Sequence, residues 1–249
     1  MGTVALRLTG ATKRYQGKVV LDGVDLDVER DARLVVLGPS GSGKSTLLRL
    51  LAGLEPLDAG TVSRPDGGTG VIGTVFQQPL LLPWLNVREN VALGGRYRVN
   101  RKRFEPTRVD ELLDLFGLAD LAPARPAQLS GGEAQRVAIA RAAAVAPEVL
   151  LLDEPFSALD PATRRGMQTW LRETADRLGV AVVLVTHDVD EALYLASEIA
   201  LLDGSGALAG RWPRLPPVAH DDLATHPLRG ELFAGYRSQI GAVAGGAVT

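Results

Sequence analysis

The chain has 249 residues, 46% of them hydrophobic and 22% charged, which is enough apolar material for a full core and the wrong composition for a disordered segment. A net charge of −2 with scattered arginines makes no basic field, so neither nucleic acid nor an anionic membrane surface is an expected partner. There is no cysteine, which excludes disulfides, thiolate metal sites and thiol nucleophiles. The start, Met1 to Leu6, has neither a basic region nor a continuous apolar stretch, so secretion is not expected. Apolar runs such as Val180 to Val185 and Val149 to Leu152 fall far short of the roughly 20 residues a spanning helix needs, so any membrane role is peripheral.

In chain order, Val24, Leu26 and Val28 alternate with Asp25, Asp27 and Glu29, the pattern of a half-exposed strand. Arg33 to Leu37 reads as a buried strand that runs into Gly38. Lys44 to Ala52 continues with helix formers, and Gly53 supplies the stop. Between about Pro79 and Pro147 the spacing turns helical, as in Val109, Leu112, Leu113 and Phe116, and predicts a mostly helical insertion. Strands return at Val149 to Leu152, Val180 to Thr186 and Ile199 to Leu202, separated by helices from Pro161 to about Leu178 and from Val189 to about Ala196. Strands alternating with helices imply a parallel sheet covered on both faces. The tail from Arg211 is proline-rich, then small and apolar, too poor in anchors to form a domain.

Three segments carry chemistry. Gly38-Pro39-Ser40-Gly41-Ser42-Gly43-Lys44-Ser45-Thr46 satisfies the phosphate-loop pattern, in which glycines let backbone N–H groups wrap phosphates at a helix start. In that pattern Lys44 reaches the β- and γ-phosphates and the Ser45 hydroxyl ligates magnesium. The strand Val149 to Leu152 ends in Asp153 and Glu154, whose side chains diverge: Asp153 suits a magnesium ion, and Glu154 a general base for an attacking water. A solvated acidic strand end is the competing reading. Ser130-Gly131-Gly132-Glu133 reads as a capping box, with Ser130 as N-cap and Glu133 reaching back. The same helix start, carrying two glycines, is also an anion site that a γ-phosphate can approach.

The order of phosphate loop, Leu129 to Gln135, and Val149 to Glu154 resembles the ATP-binding cassette (ABC) family, and the likeness extends from about Val4 to Asp203. It implies an α/β fold, a P-loop NTPase (RecA-like) parallel-sheet core with an antiparallel β portion near the N-terminus and a mostly helical insertion subdomain. The core would take about 1–78 and 147–210, the insertion about 79–146 and the tail 211–249. The resemblance implies that Ser130 and Gly132 contact ATP held by a second copy, although the family's common glutamine stands here as Glu133. It gives Gln77 contact with magnesium and water, and His187, at the end of Val180 to Thr186, contact with the γ-phosphate. It places Tyr15 against adenine, where a core tyrosine competes, and Asp160 in the Ser157 to Asp160 loop that crosses the dimer, where capping before Pro161 is the stronger role for its carboxylate. The apolar run Pro79 to Leu85 lies where the family docks its membrane subunit. His220 and His226 match nothing.

The cofactors implied are ATP and Mg2+. The partners implied are a second ATPase subunit, integral membrane permease subunits and, indirectly, a solute-binding protein, at the cytoplasmic face of a membrane. The motif Asp153 to Asp160 is similar to importers, and Leu82 to Val91 to subunits for nitrate, sulfonate, taurine and related compounds. A soluble ABC ATPase of an assembly system, such as iron–sulfur cluster biogenesis, is the alternative.

Overall fold

The computed structural model describes residues 3–65 and 70–245, with side chains up to residue 236. In chain order the elements are β1 (Val4–Tyr15), β2 (Lys18–Glu29), β3 (Arg33–Leu37), α1 (Lys44–Leu51), β4 (Ala59–Ser63), β5 (Ile72–Val75), α2 (Val87–Val91), α3 (Thr107–Leu115), α4 (Gly131–Ala143), β6 (Val149–Asp153), α5 (Pro161–Leu178), β7 (Ala181–Thr186), α6 (Val189–Leu195), β8 (Glu198–Leu202), β9 (Leu208–Trp212) and α7 (Pro227–Gly245). The chain divides into two compact units, Met1–Gly68 with Ala181–Thr249, and Thr69–Val180.

In the first unit β1 pairs antiparallel with β2 on one side and β4 on the other, which is the antiparallel portion expected near the N-terminus. The alternation read from the sequence holds: Val24, Leu26 and Val28 are buried while Asp25 is exposed. β3 lies between β7 and β8 and runs parallel to both. All three are apolar almost throughout, as strands covered on both faces must be. β9 closes the β8 edge antiparallel. α1 buries Leu47, Leu48, Leu50 and Leu51, is C-capped by Ala52 and is followed by Gly53 at φ +69°.

The tail holds more structure than its composition suggests. Val218, Leu223 and Leu232 are buried, Arg229 makes a two-pronged ion pair with Asp190 (2.7 and 3.1 Å), and His220 stacks on Tyr194 with ring centroids 3.6 Å apart. Three anchors spread over some fifteen residues leave no periodic signature in the sequence, and the segments that carry Leu223 and Leu232 pack on α6.

In the second unit β5 runs parallel to β6 and packs on α4. Helices α2 to α5 and several short 3-10 turns make up most of the rest, as the helical spacing predicted. Phe116 is fully buried and meets Trp170 edge to face, centroids 5.0 Å apart. α5 spans the expected residues, from the Asp160 cap and Pro161 at its first position to Gly179 in the left-handed conformation.

Candidate functional site

The first unit builds the strand, glycine loop and helix of the phosphate-loop pattern. β3 ends at Leu37, the loop Gly38 to Gly43 follows, and α1 begins at Lys44. Its glycines are required: a Cβ on Gly43, at φ +94°, would lie 2.6 Å from the Val20 carbonyl oxygen, and one on Gly38 would lie 2.5 Å from that of Leu202. Gly43 is the N-cap of α1 and provides no side-chain cap to its first turn. Lys44 is 5% exposed, and its Nζ donates to the carbonyls of Gly38 and Pro39, both at 2.8 Å. The ammonium thus lies folded inside the loop. The Ser42 hydroxyl is buried and has no partner within the protein, an orphan that an oxygen-rich ligand would satisfy. Ser45 is half-buried and Thr46 buried, in the first turn of α1, while Ser40 and Gly41 are exposed.

The register between β3 and β7 pairs Leu37 with Thr186. Gly38 and His187 therefore leave neighbouring parallel strands at the same edge, the carboxyl-end edge where open α/β sheets bind ligands. His187 is exposed. Tyr15 closes β1 with its ring 40% exposed, not in the core, and its hydroxyl donates to the Glu55 carboxylate, which raises the phenol above its ordinary value. Lys13 Nζ lies 5.4 Å from the ring centroid.

The second unit repeats the arrangement with acidic residues. The β5–β6 register pairs Val75 with Leu152, so Gln77 and the pair Asp153–Glu154 leave one strand edge together. Gln77 Nε2 donates to Ser157 Oγ (3.1 Å), and Ser157 donates its hydroxyl (3.0 Å) and its N–H (3.2 Å) to the Glu154 carbonyl. Ser157 is the hub of this turn, a role the sequence does not reveal. Glu154 sits at φ +42°, a left-handed conformation that costs a non-glycine residue about 1–2 kcal/mol and that no local sequence pattern announces.

At α4 the predicted capping box is present. Ser130 N–H and Oγ both donate to Glu133 Oε2 at 2.8 Å, and Glu133 N–H returns to Ser130 Oγ at 3.3 Å. The Ser130 N–H first, then its hydroxyl, hold the Glu133 carboxyl below its ordinary value. Gly132 is buried, and a Cβ there would approach Thr163 to 3.1 Å. Asp160 accepts from the amides of Ala162 and Thr163, both at 3.1 Å, the capping role.

The apolar run after Gln77 is a built loop. Arg141 donates to the carbonyls of Pro79 and Leu80, both at 2.9 Å, and fully buried Asn90 bonds Leu82, Leu85 and Asn86. Burial pulls the Arg141 guanidinium below its ordinary value. Leu85 is core, whereas Leu80 and Trp84 are 56% and 67% exposed.

A phosphate loop, a strand-end carboxylate pair and a glycine-bearing helix start define a nucleotide-binding α/β protein. The ABC transporter family matches residues 21–157. The sulfate/thiosulfate import ATP-binding protein CysA of Xylella fastidiosa is 46% identical over 214 residues, covering 82% of this chain and 62% of that protein. The aliphatic sulfonates import ATP-binding protein SsuB 3 of Rhodococcus jostii is 49% identical over 205 residues, covering 82% of this chain and 73% of that one. Among solved structures, cbiO1 of Clostridium perfringens, part of the ABC transporter complex cbiONQ, aligns with TM-score 0.73 and 26% identity, covering 84% of this chain and 88% of its own. A dimeric ATP-binding cassette in a post-hydrolysis state with ADP and Pi aligns with TM-score 0.69 and 32% identity, covering 86% and 100%. The chain belongs to the ABC transporter family. It spans about three fifths of the length of the sulfate/thiosulfate relatives it matches.

Proposed function

We propose that the chain is the ATP-binding and ATP-hydrolysing subunit of an ABC importer, pairs with a second ATPase subunit on permease subunits at the cytoplasmic face of a membrane, and powers uptake of a small sulfur oxyanion or sulfonate. The observation that carries the ATPase reading is the Leu37–Thr186 register, which sets the phosphate loop and His187 on one strand edge. Relatives named for sulfate, thiosulfate and sulfonate import support an importer over an assembly ATPase. Among the described residues no helix is long and apolar enough to cross a membrane, in keeping with an ATPase that acts from the membrane surface. The functional division follows the core of about 1–78 and 147–210 with the insertion 79–146. The compact units cut the chain elsewhere because β5 pairs with β6 and packs on α4.

In this reading the amides of Gly38 to Thr46 take the phosphates, and Lys44 leaves the Gly38 and Pro39 carbonyls for the β- and γ-oxygens. Tyr15 offers its exposed face to adenine. Ser45, Gln77 and Asp153 present a hydroxyl, an amide oxygen and a carboxylate, hard donors that suit Mg2+ held largely by substrate phosphates. Bound there, the ion would neutralise charge developing on the phosphates. Glu154 accepts a proton from the attacking water, and His187 contacts the γ-phosphate. Ser130 and Gly132 serve the nucleotide of the partner subunit, with Asp160 in the adjoining loop. Tighter binding of ATP than of ADP by the closed pair gives the cycle its direction.

Glu154→Gln tests this directly. Turnover is expected to fall by about 10²–10⁴-fold, and the variant to migrate at twice the parent mass in ATP but not in ADP. Turnover at the parent rate would remove Glu154 from the chemistry. Capture of the tagged protein from gently solubilised membranes should bring an integral membrane protein, and purely soluble partners would overturn the importer reading.

A further inference from the structure

The mechanism above leaves a buried carboxylate unused. Glu191 is 7% exposed in the first turn of α6, where its neighbours Val189, Ala192, Leu193 and Leu195 are buried and apolar. A carboxylate in such a place is costly unless it is bonded, and an aliphatic side chain would fill the space at no such cost. Its Oε2 accepts the hydroxyl of Thr186, the last residue of β7 and itself 2% exposed. The same Thr186 Oγ1 accepts the N–H of Asp188 at 3.1 Å. Asp188 Oδ1 in turn accepts the amides of Asp190 (2.9 Å) and Glu191 (3.1 Å). The bond from Asp188 N–H to Thr186 Oγ1 spans a single residue, His187.

We infer that Thr186 and Glu191 are positioning residues that hold the strand-to-helix turn so that His187 leaves the sheet edge in one direction. The inference rests on the ATPase reading. β7 is fixed against β3 by the ladder that ends at Leu37 and Thr186, so Thr186 stands still relative to the phosphate loop. Its hydroxyl, gripped by Glu191, ties the turn to that fixed point at Asp188, one residue beyond the histidine. Without the hydroxyl the Asp188 N–H loses its tie to the end of β7, and the peptide that carries His187 is held less firmly at the point where movement is most harmful. A displacement of about 1 Å in a positioned group can cost about 100-fold in rate.

The test is steady-state ATP hydrolysis by the full chain with its Mg2+. Thr186→Val, nearly isosteric, should lower kcat about tenfold or more and leave the KM for ATP within about twofold, because the defect lies in contact with the γ-phosphate and not in nucleotide capture. Thr186→Ser should recover most of the loss. Glu191→Gln, which keeps a carbonyl acceptor, should fall between the parent and Thr186→Val. The decisive measurement is a double-mutant cycle: if Thr186 acts through His187, the Thr186→Val/His187→Ala double variant is no slower than His187→Ala alone. Losses that multiply, or a Thr186→Val protein with the parent kcat, overturn the inference. If His187→Ala itself turns over at the parent rate, the assignment of His187 fails first. Should Thr186→Val not fold, Glu191→Gln carries the comparison: a kcat equal to the parent there would overturn it.

Discussion

The starts of α1 and α4 are both glycine-bearing helix N-termini, and they satisfy their backbone donors in opposite ways. α1 opens on Gly43 with no side-chain cap, and Lys44 is bonded to loop carbonyls that flank the gap. α4 opens on Ser130, whose hydroxyl and N–H are committed to Glu133. The first leaves its cap position without a side chain, whereas the second already has its N-cap and third-position amides bonded. A helix start that satisfies itself engages a nucleotide only by exchanging partners, which suits a contact made and broken in each cycle; one without a side-chain cap suits a ligand held throughout it.

The largest expected effect breaks the α1 side of this comparison. Lys44→Ala should lower ATP affinity and hydrolysis by about 100-fold or more, since a buried charge-assisted contact to phosphate is lost. Equilibrium binding of a fluorescent ATP analogue reads it. Undiminished affinity would mean that the loop amides alone hold the nucleotide and that Lys44 is a structural brace.

Much of this contrast is legible in the sequence, and the reasons differ by region. The phosphate-loop pattern, the Ser130 to Glu133 box and the Asp160–Pro161 start are local motifs, set by residues close in sequence, and the strand–loop–helix order and both caps are present. The same holds for the strands at Arg33, Val149 and Val180, where runs of apolar residues declare burial to within one residue. What the sequence hides depends on tertiary placement: the left-handed Glu154 held by Ser157, and the tail anchors Val218, Leu223 and Leu232 that need α6 to pack against. The Thr186–Glu191 bond is local in sequence yet unreadable, because nothing in a Thr-His-Asp run says that the threonine is buried.

A smaller effect tests whether side-chain capping elsewhere is structural alone. Asp160→Ala removes the cap of α5, and loss of an N-cap should lower the melting temperature of a domain of this size by about 2–4 °C. ATP affinity of the isolated chain should stay unchanged. A reduced tendency of the Glu154→Gln background to pair in ATP would instead add a contact across the dimer to the cap.

Glu133→Gln sharpens the α4 side. The amide keeps an acceptor for Ser130 and removes a negative charge from the first turn. A charge beside a helix terminus is worth about 0.3–1 kcal/mol, so ATP-driven pairing should tighten by about two- to fivefold if a γ-phosphate enters there. The helix itself should lose slightly, since a carboxylate favours the positive end of the dipole. Opposite signs for the two readouts are the expected signature, and pairing that weakens along with the helix would show that Glu133 helps the contact instead of competing with it.

The smallest effect is the response of these caps to acid. The Thr163 side chain, then the Thr163 and Ala162 amides, lower the Asp160 carboxyl, as Ser130 lowers that of Glu133. Groups whose folded values are depressed stabilise the fold above the unfolded value and lose that contribution as pH falls through the folded one, here below about pH 4. Melting of the parent beside Asp160→Asn and Glu133→Gln should show the largest gap near neutrality and a closing gap in acid, because protonation makes the parent resemble the amide variants. α1 has no acidic residue in its first turn and should contribute nothing to the difference. A gap that stays constant down to about pH 3 would mean that packing of the side chains, not their charge, supports both helix starts, and the contrast between α1 and α4 would then be one of shape alone.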